Sequence, residues 1–283
     1  MVPPPEPTPR PCPICRSKAS RPYPNPFELS LRTCRECGVR FLDEPPSERE
    51  LARRYDEEHE AGKWAALFGE ADPAERRRRA ALLAELRPPG EGDRLLDVGC
   101  GDGGFLDEAA AAGWRPLGLE ISTAAAAGVA HPVAVGPLDA IAPGAGLAVV
   151  TFWDVLEHVV DPAAMLEAAA ERLAPGGLVA VTMPNAAGTE ALLAGPAWRY
   201  HDVGVYGHLL HPTPRHVRAL LEGAGLEAVH VETSGSVDLR DRVPAGIRGR
   251  ALTWLLDRVS GVVARVAVPL HRGNTMLLVG RRA

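Results

Sequence analysis

Lysine is almost missing from this chain: Lys18 and Lys63 are the only two among 31 basic residues, and the rest are arginine. Together with a formal net charge of −5, this leaves no broad cationic surface, which argues against a nucleic-acid partner held through its phosphates. The one basic run, Arg76–Arg79, follows Glu75 and leads into Ala80–Leu86, so a solvated helix face is expected there. Aromatic residues make up only 5% of the chain, so any place where they gather is informative. No apolar run approaches the roughly 20 residues that span a bilayer. The opening MVPPPEPTPR has neither the apolar core nor the cleavage site of a secretory leader. A cytoplasmic location is expected.

Cysteine is scarce too, but its placement is not random. Four of the five lie within the first 37 residues, and Cys100 sits alone among glycines. Cys12-x-x-Cys15 and Cys34-x-x-Cys37 are separated by 18 residues, an interval suited to a four-thiolate zinc site. Each CxxC turn aims two sulfurs at one point, and Gly38 suits a tight knuckle after the last of them. A segment so short and proline-rich buries little core, so metal ligation would supply most of its folding energy. Two disulfides or a redox CxxC are the alternatives. The cytosol disfavours the first, and the lack of a thioredoxin-like βαβ pattern disfavours the second. With every ligand position filled by protein, such a zinc ion is structural.

A length of 283 residues holds one sizeable α/β core plus a small module. Residues 1–11 alternate proline with polar residues and are expected to be a disordered tail. Residues 12–45 form the expected zinc ribbon and 46–92 a helical cap or linker, opened by the capping box of Ser47 and Glu50. From residue 93 to 283, strand and helix signals alternate, which favours a parallel sheet. Expected strands are Arg94–Val98, Pro116–Glu120, Val133–Val135, Leu147–Phe152, Leu178–Met183, Leu226–Val231 and Thr275–Gly280. Asp161-Pro162 is a good helix start, and Pro175-Gly176-Gly177 is expected to end that helix.

The glycine-rich stretch Leu95–Gly104 runs from a strand into a helix, where glycines let the backbone turn sharply beside a ligand. Gly99, Gly101 and Gly104 satisfy GxGxxG, and Glu120 lies where a ribose-binding acid belongs. The loop alone fits NAD nearly as well as S-adenosylmethionine (SAM). Asp97, just before the first glycine, tilts the choice, because a carboxylate there suits a ligand amino group and would repel a pyrophosphate.

LLDVGCGDGGFL (95–106), LGLEIS (117–122), FWDVLEHVVDP (152–162) and LAPGGLVAVTMPN (173–185) occur in the order and spacing of class I SAM-dependent methyltransferases. The chain more closely resembles the bacterial group that carries a zinc ribbon ahead of the transferase core; Trp198, His208-Leu209 and Ala224-Gly225-Leu226 continue that pattern. The resemblance covers roughly residues 12–235. It implies an α/β, Rossmann-like, seven-stranded and mostly parallel sheet with helices on both faces. It also implies that Asp97 and the backbone of Gly99, Cys100 and Gly101 hold the methionine end of SAM. Glu120 would take both ribose hydroxyls, Ile121 would pack on the adenine, and Asp139 and Asp154 would complete the cofactor-facing set. Gly146–Val149 departs from the family's usual Phe-Asp ahead of the fourth strand.

Methyl transfer from a sulfonium is an in-line displacement helped by alignment and desolvation. A hydroxyl acceptor adds the need for a base. His158, after the fourth strand, and His208 are the candidate catalytic residues, each against the alternative of a positioning role. Residues 186–214 gather Trp198, Tyr200, His201, Tyr206, His208 and His211, an expected acceptor wall. A second metal site from these histidines is not expected, since no carboxylate or cysteine appears at ligand spacing. Tyr55, His59 and Trp64 belong to a helical segment able to close over the cofactor. Residues 247–267 form an amphipathic helix suited to packing on the core or on a dimer mate, with a peripheral membrane contact as the alternative. The expected acceptor is a small molecule or a glycan or lipid precursor, with O-methylation favoured. The alternatives are an RNA or protein methyltransferase gripping its substrate through the ribbon, and a non-catalytic SAM-binding protein. Monomer and homodimer both stay open.

Overall fold

The computed structural model describes residues 9–27, 29–60, 62, 72–235 and 250–283. Most of the expected tail, Trp64 and the first residues of the expected 247–267 helix lie outside the described residues.

The main sheet has seven strands, β4 (Arg94–Val98), β5 (Arg115–Glu120), β6 (Val133–Val135), β7 (Leu147–Trp153), β8 (Leu173–Pro184), β10 (Leu226–Ser234) and β11 (Thr275–Arg282), in the order β10-β11-β8-β7-β4-β5-β6. The pairs from β6 to β8 are all parallel, and β11 alone runs against the rest. The chain leaves β4 toward one edge and returns to β7 on its other side, so the order reverses between β4 and β7. In doubly wound sheets the ligand crevice opens at that reversal.

Helices cover both faces, which is why β7 is apolar on both sides. Leu95, Val149 and Ala180 face α2 (Pro73–Leu86) and α3 (Gly104–Ala111), meeting Ala80, Leu83, Phe105 and Ala109. Their neighbours Leu96, Val150 and Val181 point the other way, onto Leu166 and Ala169 of α5 (Pro162–Arg172) and Val217 and Leu221 of α8 (Pro214–Gly223). The expected caps form. Asp161 accepts from the Ala164 amide at 3.0 Å, and Ser47 and Glu50 exchange bonds at 2.8 and 3.3 Å at the start of α1 (Glu48–Glu60).

One boundary differs from the expectation. α5 ends at Arg172, and β8 begins at once, before Pro175-Gly176-Gly177. Leu173 is buried and pairs with Leu147, so the sheet draws it in, and Gly176 takes the bend with φ +72°.

The N-terminal module is a second sheet of β1 (Ser20–Pro22), β2 (Leu31–Cys34) and β3 (Arg40–Leu42), all antiparallel. Its fourth strand is β9 (Leu210–His211), which comes from the middle of the transferase region. Cys12, Cys34, Val39 and Phe41 share one apolar cluster with Leu210, Val217 and the main sheet. The module is built onto the core.

Candidate active site

The loop after β4 is shaped by three constraints. Gly99 has φ +70°, and a Cβ there would stand 2.7 Å from the Val155 Cγ2. Its amide donates to the Leu119 carbonyl at 2.7 Å, tying the end of β4 to the end of β5. Cys100 is buried against Gly118, where a Cβ would meet its sulfur at 2.6 Å. Burial and the Asp97 charge push the Cys100 thiol up to about 12, so it packs as an inert apolar group.

Asp97 is 2% exposed. Thr151, facing it from β7, donates a hydrogen bond to its carboxylate at 2.6 Å. Burial pushes the Asp97 carboxyl up to about 7, against the pull of Thr151 and the Arg79 charge. Glu120 gathers the loop backbone: Oε1 accepts from the amides of Ile121 (2.8 Å) and Ser122 (3.0 Å), and Oε2 accepts from Gly101 (3.0 Å). Oε2 therefore keeps a lone pair for one ribose hydroxyl before an amide is displaced. Ile121 is 38% exposed at the lip. Asp154, with φ +58°, holds a left-handed turn at the end of β7, and its half-exposed carboxylate lies 3.9 Å from Arg79. Asp139 sits apart. Its side chain is 90% exposed and faces Arg172 at 3.4 Å.

The Arg76–Arg79 run is more engaged than a solvated face. Arg76 pairs with Asp102 at 2.7 Å, Arg78 with Glu75 at 2.8 Å and Glu232 at 2.6 Å, and Arg79 with Glu75 at 3.2 Å. Arg79 also lies over the Trp153 ring, 4.8 Å from its centroid. Asp102, Trp153 and Glu232 come from distant elements, which is why they could not be read from the sequence.

In the turn after β7, His158 Nδ1 donates to the Gly207 carbonyl at 3.1 Å, which places the ring's lone pair on Nε2. His208 meets His158 edge-on, 4.7 Å between centroids, and stacks on Tyr200 at 4.8 Å. Tyr55 of α1 closes on His158 at 6.0 Å and Tyr206 on Tyr200 at 4.9 Å. Burial holds His158 down to about 4 and His208 well below the ordinary histidine range, so both rings are neutral at physiological pH.

The rest of the expected wall faces elsewhere. Trp198, His201 and His211 are at most 2% exposed and pack toward the module. There Arg40 donates to His201 Nε2 at 3.1 Å, and His201 Nδ1 donates to the Pro196 carbonyl at 3.1 Å. The ring cluster around His158 thus contracts to Tyr55, His158, Tyr200, Tyr206 and His208.

A glycine loop tied to a buried acid at the sheet's reversal is the arrangement of a SAM-binding cleft, and comparison with known proteins agrees. A family described as a methyltransferase domain matches residues 69–231. The chain belongs to the class I SAM-dependent methyltransferases. Among curated relatives of this methyltransferase, it is 39% identical over 110 residues to a ubiquinone biosynthesis O-methyltransferase of Caulobacter sp. (strain K31), covering 35% of this chain and 44% of that protein. It is 34% identical over 160 residues to the enzyme of the same name from Cereibacter sphaeroides (strain ATCC 17025 / ATH 2.4.3), covering 50% of this chain and 63% of that protein. The chain thus spans about half to three-fifths of these relatives' length. In fold it is similar to a Haemonchus contortus phosphoethanolamine N-methyltransferase 2 in complex with SAM, with TM-score 0.57, 19% identity, and coverage of 86% of this chain and 61% of that one.

In the methyltransferase's N-terminal module, Cys12, Cys15, Cys34 and Cys37 converge, with all four sulfurs within 4.8 Å of one another. The Cys12–Cys37 and Cys15–Cys34 pairs stand 3.6 and 3.5 Å apart. That is far beyond a disulfide of about 2.05 Å and close to the separation of roughly 3.8 Å between thiolates in a tetrahedral zinc site. A four-thiolate metal fits these residues. The module is also pinned to the transferase by His216, whose Nε2 donates to the Cys37 carbonyl at 2.9 Å while its Nδ1 accepts from the Thr213 amide at 3.1 Å.

Glu157 follows the fourth strand together with His158, but the sequence alone assigned it no role of its own. It is fully buried beside His158, and neither carboxylate oxygen has a hydrogen-bond partner among the described residues. Burial and the charge of Asp154 push its carboxyl well above the usual range. The one available signal was its place next to His158.

Proposed function

We propose that this enzyme moves the SAM methyl group to a hydroxyl of a small molecule. The observation that carries the reading is the pairing of two buried, neutral imidazoles, His158 and His208, with tyrosines beside the turn whose Val155 abuts Gly99. The O-methyltransferase relatives support the acceptor class, and the neutralised Arg76–Arg79 run favours a small acceptor over RNA.

Bound SAM supplies an electrophilic methyl on a sulfonium. Asp97 receives the ammonium of its methionine end, with Gly99, Cys100 and Gly101 offering backbone beside it. Glu120 takes a ribose hydroxyl through Oε2, Ile121 covers the adenine, and Asp154 borders the recess. Asp139 reaches the adenine amine only by leaving Arg172. On the other wall, Tyr55, Tyr200 and Tyr206 exclude water, and His158 or His208 accepts the hydroxyl proton as the C–O bond forms. The four thiolates hold a structural zinc ion that keeps the module seated on the core.

Calorimetry with SAM tests the cofactor side, and no heat would sink the assignment. A panel of phenols, catechols and polyols, read by S-adenosylhomocysteine release, tests the acceptor side. Turnover only on amines or on RNA would refute the hydroxyl reading.

A further inference from the structure

Glu157, His158 and His208 bring one ligand atom each to within 4.8 Å of the others. Glu157 is 0% exposed, His208 is 4% exposed, and the Glu157 carboxylate has no hydrogen-bond partner among the described residues. A buried carboxylate without donors is costly unless it is protonated or meets a cation. The Asp154 carboxylate adds negative charge to the same recess.

We infer that Glu157, His158 and His208 form a second metal site, separate from the cysteine cluster, that takes a first-row divalent cation and presents it to the acceptor hydroxyl. This deepens the hydroxyl-transfer reading above and rests on it.

Three features support the assignment. Two imidazoles and one carboxylate form a donor set that suits manganese, iron, cobalt or zinc and leaves positions open for a substrate oxygen. His158 is steered by its bond from Nδ1 to the Gly207 carbonyl at 3.1 Å, the outer-shell contact that metal-ligating histidines characteristically make. The third feature is the anchoring of the scaffold. The Leu209 amide donates to the Glu157 carbonyl at 2.7 Å, tying the backbone that carries His208 to the turn that carries Glu157 and His158. Metal bonds of about 2.1 Å span ligand pairs up to ~4.2 Å apart, so small side-chain rotations close the set.

The chemistry balances without a protein base. An acceptor hydroxyl bound to the cation becomes more acidic and gives its proton to water. Its oxygen pair forms the new C–O bond as the methyl–sulfur bond breaks, and the sulfur keeps that pair as S-adenosylhomocysteine departs. His158 and His208 would then act through the cation, replacing the direct proton acceptance given above.

Manganese is the probe of choice, because thiolates of the module disfavour it while nitrogen and oxygen donors accept it. The full chain, zinc-loaded, is titrated with Mn2+ and the free-ion electron paramagnetic resonance signal is followed; Co2+ absorption provides a second readout. One saturable site is expected, weakened at least about tenfold by Glu157→Gln and by His208→Asn. Glu157→Gln keeps the shape of a side chain that lacks partners, and thermal melting without metal checks that each variant folds. The inference is overturned if neither ion saturates a site in the wild type, or if folded Glu157→Gln binds as well as wild type. Calorimetry with SAM on the same samples reads the methyltransferase assignment separately. Full turnover in chelated enzyme that still binds SAM would overturn the metal role alone.

Discussion

Thr151 on β7 donates a 2.6 Å hydrogen bond to Asp97 on the neighbouring strand β4, and both residues are buried. This bond favours the ionised aspartate in a place where burial opposes it. Thr151→Val removes it, which costs the ionised form about 1.5–3 kcal/mol. SAM affinity above pH 7 is expected to fall by about tenfold or more, read by calorimetry. An unchanged affinity would separate Asp97 from the ligand ammonium.

Asp97 also sets a pH dependence of unusual sign. Its folded pKa of about 7 lies above the unfolded value of about 3.9. The contribution of Asp97 to the stability of the free protein is therefore fully present below the unfolded value and is lost as pH rises through 7. SAM, carrying an ammonium, selects the ionised form. Binding below pH 7 should release close to one proton, and affinity should weaken up to about tenfold per pH unit of acidification. Calorimetry at pH 6 in buffers of different ionisation enthalpy measures this, and Asp97→Asn should abolish the released proton.

Gly99 faces two penalties at once. Alanine there must hold φ +70° and place its Cβ 2.7 Å from Val155. The left-handed backbone alone costs about 1–2 kcal/mol. Gly99→Ala should lower the melting temperature and weaken SAM binding, and adding Val155→Ala should recover only the steric part. Complete recovery would mean that the backbone is not under the constraint described.

His158 and His208 should be silent in the usual histidine range. Burial places His158 at about 4 and His208 well below its ordinary value. At saturating SAM, the turnover number plotted against pH should show no inflection near 6.5. A limb at that pH would have to come from another group, such as a cation-bound acceptor hydroxyl.

Stripping metal from the cysteine module should be felt in the transferase. Cys37 is held by His216 at 2.9 Å, and Phe41 pairs with Leu210. Faster hydrogen exchange at Leu209, Leu210 and His211 is expected after chelation, with the SAM affinity kept. Exchange confined to residues 12–42 would show that the module is not coupled to the His208 segment.

Local features were legible in the sequence, and long-range features were not. The glycine loop, Glu120 and the CxxC pairs announce themselves because their geometry depends on a few adjacent residues. The strand pattern of β4, β5, β7 and β8 was legible for the same reason. Leu210–His211 has no period to detect, since a two-residue strand exists only because β3 offers an edge. The wall of Trp198, His201 and His211 read as a single surface, yet Arg40, 161 residues before His201, turns part of it toward the module. Glu157 was legible as a neighbour of His158 at the sheet's ligand edge, but nothing around it in the sequence reveals that its carboxylate is buried.

The four-stranded small sheet also orders events in time. Its cysteines lie between residues 12 and 37, so they can gather as soon as that stretch is made. The edge of β3, in contrast, stays open until Leu210 and His211 exist. At typical synthesis rates that interval is on the order of ten seconds or more, during which a nascent chain displays an unpaired strand edge. Assembly of the small sheet is therefore sequential, with the β3 edge unpaired between the closing of the thiolate loops and the arrival of β9.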